Sequence, residues 1–100
     1  MRRAIRLFVA AALALTVAGV APVSAGSLGR FEVHGVGEDD MLKMRGGPGI
    51  GYDVLLGLPD GTVLHVYECT QTGGTRWCRA ALDHARRARG WVSWAYLRKL

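Results

Sequence analysis

Cysteine is scarce in this chain, with two in 100 residues, Cys69 and Cys78. They do not form a Cys-x-x-Cys pair, and the histidines His34, His65 and His84 are scattered. A structural metal site wants four ligands at short spacings, and no such pattern occurs here. No Ser, Cys or Asp stands at a spacing from histidine that would make a catalytic triad. The glycine-rich segment GGPGIG at 46–51 lacks the Gly-Lys-Ser/Thr ending of a phosphate cradle, and Pro48 removes an amide that such a cradle would use. Its glycines are expected to serve a positive φ or a sharp bend. Glu38, Asp39 and Asp40 are consecutive rather than spaced as calcium ligands, so they are expected to face solvent. These absences leave no catalytic residue, no metal and no cofactor to assign, and the expectation is a protein that is not an enzyme.

An excess of one charge is also missing once the first residues are set aside. The formal charge is +5, but three of the 13 basic residues are Arg2, Arg3 and Arg6. Ten then face eight acidic residues, a balance of about +2 that is ordinary for a soluble surface and gives no sign of nucleic-acid binding. Those three arginines precede an apolar run from Leu7 to Val20, and Val23-Ser24-Ala25 supplies the small residues that a signal peptidase needs. The run is too short for a bilayer, which takes about 20 apolar residues. Residues 1–25 are therefore expected to be a secretory signal peptide cleaved after Ala25, with no membrane span. No cysteine precedes Cys69, so no lipid anchor is expected. Residues 26–29 read as a linker and 30–100 as one small domain, exported to the periplasm or beyond and taken as a monomer.

Export gives the cysteines an oxidising compartment, and a small domain with a modest core gains much from a covalent staple. A Cys69–Cys78 disulfide follows as the expectation. The intervening TQTGGTRW carries Gly73-Gly74, a hairpin turn between paired strands. One parity problem accompanies this reading. Regular alternation from Val63 turns Leu64 and Val66 inward and leaves Cys69 on the opposite face, which a bulge or a strong twist near Glu68 would reconcile.

The remaining pattern is short strands between glycine and proline turns. Phe31 and Val33 alternate with Glu32 and His34, and Leu42 and Met44 flank Lys43. Further strands are expected at 54–58, 63–69, 76–82 and 90–93, with a single 3₁₀ turn at 94–97. Pro59-Asp60-Gly61 closes the third strand. Residues 80–89, AALDHARRAR, have helix-favouring composition, but only about ten residues separate two strands there. A strand end followed by a polar loop over 83–87 is the expectation.

Three motifs carry a family resemblance: Leu42-Lys43-Met44-Arg45-Gly46-Gly47-Pro48-Gly49, then Gly61-Thr62, then Gly90-Trp91-Val92-Ser93-Trp94-Ala95-Tyr96-Leu97. Together they resemble the bacterial SH3-like (SH3b) domain, with its Leu-Asn-Val-Arg-Ser-Gly-Pro-Gly opening, Gly-Thr step and Gly-Trp-Val-x-x-x-Tyr-Leu ending. The resemblance implies an all-β, partly open SH3-like barrel of about five to six short antiparallel strands. It also implies a binding module whose ligand is cell-wall peptide, peptidoglycan or an envelope protein. In eukaryotic SH3 domains a Trp near the position of Trp77 and a Tyr near that of Tyr96 form a groove for proline-rich peptides. Ser93 stands here where that ending has proline, which counts against such ligands.

The expected ligand face is therefore Trp77 and Tyr96, with Tyr52 and Trp94 as secondary candidates. The competing expectation is that these aromatics fill the core of a small barrel, Trp91 most of all. Arg76, Arg79, Arg86, Arg87 and Arg89 concentrate positive charge near the hairpin. That run is either a solvated surface or a steering patch for an anionic wall polymer or lipid headgroup. A structural or inhibitory partner of a secreted enzyme is the alternative function, which a large exposed apolar patch would favour. A small wall hydrolase is the remote one.

Overall fold

The computed structural model describes residues 27–100, so the expected signal peptide at 1–25 lies outside the described residues. Seven strands form one antiparallel sheet: β1 (Gly29–Val33), β2 (Leu42–Arg45), β3 (Val54–Leu58), β4 (Val63–Thr72), β5 (Thr75–Leu82), β6 (Ala85–Ser93) and β7 (Leu97–Lys99). Their order is β3-β2-β6-β5-β4-β1-β7, and the sheet curls into a half-barrel. This is the all-β, partly open architecture expected, with one strand more than foreseen. The addition is β7, three residues paired with β1 after a 3₁₀ turn at Trp94–Tyr96. Gly29 already belongs to β1, inside the stretch read as linker.

Alternation places the core inside the curl. Leu42 and Met44 are buried while Lys43 is exposed, and Leu64 and Val66 are buried on β4. Phe31, Val33, Leu58, Cys78, Ala80 and Val92 complete a contiguous cluster. Burying apolar side chains at this density is what holds so small a sheet together.

Of the bulge and the twist, the structure has the bulge. Val66 pairs with Ala80 and Glu68 with Arg79, so Tyr67 is the extra residue. Cys69 then lies directly opposite Cys78, and the two form a disulfide. The hairpin is longer than expected, running to Thr72 and resuming at Thr75 across Gly73-Gly74, where Gly73 takes φ 60°.

The loop expected over 83–87 needs correction, because the strand ladder resumes at Ala85 after a turn at Asp83 and His84. Two arginines pin that turn. Arg30 Nε donates to the Asp83 carboxylate at 3.2 Å, and Arg86 Nε donates to the Asp83 carbonyl at 3.1 Å. Burial works against the charged form of Asp83. The hydrogen bonds and charges of Arg30, then Arg86, outweigh it and hold the carboxyl below its ordinary value. Helix propensity at these alanines and arginines is a weak preference, and cross-strand pairing overrides it. The extra length survives as a bulge. Ala81 pairs with Arg89 and Leu82 with Ala85, which leaves Arg86 to Ala88 without partners on β5.

Gly90 marks a close approach of two strands. A Cβ there would lie 2.6 Å from the Arg45 carbonyl oxygen and 2.7 Å from Met44 Cγ. β2 and β6 can pair at Arg45 and Trp91 only because this position has no side chain. Gly90→Ala is expected to destabilise the domain by about 1–3 kcal/mol, the usual range for overpacking. Denaturant titration checks this, and an unchanged midpoint would mean the strands do not approach so closely.

Candidate functional site

Two shallow hollows of about 250 Å³ and 430 Å³ meet on the outer face of the sheet, and both are lined by Trp77, Ser93 and Tyr96. Their shared floor is built by β5 and β6, where Trp77 pairs in register with Ser93. Trp77 occupies the face opposite Cys78, and although it is only 5% exposed it lies outside the contiguous core cluster. It is thus packed and at the same time lines both hollows, which the groove-or-core alternative had kept apart. Tyr96, 41% exposed, stands over it from the 3₁₀ turn.

That turn is held by backbone. The His34 amide donates to the Tyr96 carbonyl at 2.8 Å, joining the turn to the 34–40 loop. The same loop is clamped from below by Asp60, whose carboxylate accepts from the Val36 and Gly37 amides at 3.0 and 3.1 Å. Gly35 and Gly37 adopt φ of 87° and 93° to let it turn. Gly35, Val36 and Asp40 form one wall of the smaller hollow, and Lys43 and Arg45 of β2 form another. The wall therefore carries one carboxylate and two cations. Arg45 is tied down, donating to the Ile50 and Tyr52 carbonyls at 3.2 and 3.0 Å, whereas Lys43 is exposed.

The larger hollow runs past Trp94 toward Ile50 and Arg76. Trp94 is half-buried, with its edge against Phe31 at 5.4 Å between centroids, and the Arg76 guanidinium covers its ring at 4.6 Å. One aromatic face is thereby already occupied by a cation. Trp91, expected to be the most structural of the three tryptophans, is half-buried.

Tyr52 lines neither hollow. Its ring folds back over the glycine loop, and a Cβ on Gly47 would sit 2.4 Å from ring atoms. None of the glycines at 46–51 has a positive φ. The chain bends at 46–49 and turns at 50–51, as one of the two expectations had it, and at Gly47 the absent side chain also makes room for Tyr52.

The structure thus brings together Trp77, Tyr96 and Trp94, and leaves Tyr52 apart. Asp40, Lys43, Arg45 and Ser93 were not foreseen as lining residues. The only sequence signal for Lys43, Arg45 and Ser93 is their position inside the two motif segments, and Asp40 lies just before the first of them. Among the described residues no group of three or more His, Cys, Asp and Glu is gathered as for a metal ion. No helix among them is long and apolar enough to cross a membrane.

The sequence profile described as bacterial SH3 domain matches residues 40–98, more than half of the chain. No curated protein and no solved structure matches it. The matched span covers the strands from β2 to β6 and the 3₁₀ turn, while Gly35 and Val36 of the first wall lie before it.

Proposed function

This chain belongs to the bacterial SH3 domain family, and on that premise we propose that it is an exported, non-enzymatic binding module of the cell envelope. Its ligand is cell-wall peptide or peptidoglycan, or an envelope protein, taken on the face of Trp77 and Tyr96. The observation that carries this reading is the meeting of two hollows at one buried Trp and one exposed Tyr. Rigid aromatics give large contact area at low entropic cost, which suits them to a recognition floor. Asp40 facing Lys43 and Arg45 suits a short peptide that carries charges of both signs. The disulfide is compatible with an extracytoplasmic location, and the leader-like residues 1–25 support export.

The test is retention of the oxidised domain on purified sacculi beside a whole-envelope extract. Tyr96→Ala is expected to lower retention at least tenfold while lowering the melting temperature by no more than about 4–8 °C, because the side chain is half out of the fold. Full retention by that variant would move the site elsewhere. Capture of one protein with no retention on sacculi would select the envelope-protein branch. A second reading, a structural or inhibitory partner of a secreted enzyme, is favoured by one separate observation, the apolar edge at β3.

A further inference from the structure

β3 is the last strand of the sheet. One edge is bonded to β2, and among the described residues no strand lies along the other. Native edge strands are commonly guarded by charge, proline or a bulge, because their open amides and carbonyls are a template for another chain. The guard here is slight. The strand begins Val54-Leu55-Leu56 with no charged side chain, and these residues are 49%, 56% and 38% exposed. A shift of register between Met44 and Arg45 lets Leu55 lean toward β6, within 3.4 Å of where a Gly90 Cβ would stand. Apolar side chains kept on an open edge mark an interaction surface.

Beside that edge is a hollow of about 300 Å³, lined by Met44, Leu55, Leu56, Arg87, Ala88 and Arg89. It shares no residue with the two aromatic hollows. Its far wall is the part of β6 where Arg87 and Ala88 bulge without partners on β5.

Charge decides what fits. Arg30, Arg79, Arg86 and Arg98 are each paired with a carboxylate. Arg45 is bonded to backbone carbonyls, and Arg76 covers Trp94. Among the described residues, Arg87 and Arg89 are left without an ion pair, a side-chain hydrogen bond or an aromatic ring. Both are exposed, and both border the apolar strip. A second copy of the chain would bring the same two cations to the edge, and Val54–Leu58 has no carboxylate to meet them.

We propose that this edge takes an extended segment of a protein partner in which apolar residues neighbour acidic ones. The segment lies along β3 as an added strand, with apolar side chains over Leu55 and Leu56 and carboxylates at Arg87 and Arg89. Main-chain bonds to the open edge supply affinity, and the arginines select acidic sequences.

A random peptide library displayed on phage, selected on the oxidised protein and counter-selected on Leu55→Asp, tests this. Enriched peptides should carry Asp or Glu beside Val, Ile or Leu. Their binding by fluorescence anisotropy should weaken at least tenfold in Arg87→Glu/Arg89→Glu, and they should slow hydrogen exchange at β3 amides. All three positions are exposed, so melting curves should be unchanged. If Leu55→Asp proves unfolded, the arginine variant alone serves for counter-selection and comparison. Enrichment without acidic residues, or binding indifferent to the arginine changes, overturns the proposal. Equal binding of polyglutamate would show a charge patch with no strand addition. Concentration-dependent dimers abolished by Leu55→Asp would assign the edge to a second copy.

Discussion

Replacing Trp77 with alanine is expected to remove about 3–5 kcal/mol of stability, the range for truncating a buried aromatic. Small domains are stable by about 5 kcal/mol, so the variant should keep only about 0–2 kcal/mol, with between a few per cent and about half of it unfolded at room temperature. The expectation follows from position. Trp77 is 5% exposed on the face away from the main core cluster, so its removal leaves a void that no neighbouring core side chain can close. Lost contacts and the residual cavity then add. Tyr96→Ala, on the exposed side of the same hollows, should change stability by no more than about 0.5–1 kcal/mol. Chemical denaturation of both variants measures the contrast. A Trp77→Ala protein as stable as the parent would show the indole to be a surface group. For the same reason, loss of binding in Trp77→Ala alone would say nothing about recognition, and Tyr96 is the informative position.

Removing the disulfide should cost almost as much. Cys69 and Cys78 are separated by nine positions, and closing a loop of that size contributes about 2.5–3 kcal/mol in the chain-entropy account. Cys69→Ala with Cys78→Ala is the cleaner test, because Cys78 is fully buried and a serine hydroxyl there would add an unpaired polar group. For a domain of this length the loss corresponds to a fall in melting temperature of about 10–20 °C. The hairpin end that carries Trp77 should loosen first, since Trp77 follows Arg76 in the strand and abuts the bridged Cys78. An unchanged melting temperature in the double variant, or in the reduced parent, would show that the staple contributes nothing.

Much of the fold was legible because alternation is strict where one face is buried. Leu42, Lys43 and Met44 show it, as do Leu64 and Val66. Even an irregularity near Glu68 was legible, because strict alternation would have put the two cysteines on different faces, and the structure resolves it as a bulge at Tyr67. Other features depend on contacts between distant residues and left no local trace. β7 is three residues whose partner β1 lies at the far end of the domain. Residues 85–89 have helix-favouring composition and become strand because β5 is beside them. Gly47 makes room for a ring five residues away, and nothing in a glycine-rich run separates that need from a turn.

The candidate site divides in the same way. Tyr96 and Trp94 were visible as aromatics within the closing motif and Trp77 as the aromatic of the cysteine hairpin, and the fold gathers them. Asp40 joins them because the His34 amide and Asp60 hold the 34–40 loop against the 3₁₀ turn, Ser93 because it pairs with Trp77, and Lys43 and Arg45 because β2 pairs with β6. Tyr52 looked equivalent to the others as an aromatic after a turn, but its ring is committed to the glycine loop.

The most direct test of recognition on this face is an amide-resolved NMR titration of the oxidised domain with soluble peptidoglycan fragments, repeated with the envelope protein if retention on sacculi selects that branch. The account predicts saturable shifts concentrated at Lys43, Arg45, Ser93 and Tyr96, with β3 amides unmoved by peptidoglycan. Shifts confined to other surfaces, or no shifts with either ligand at concentrations that saturate retention, would contradict it.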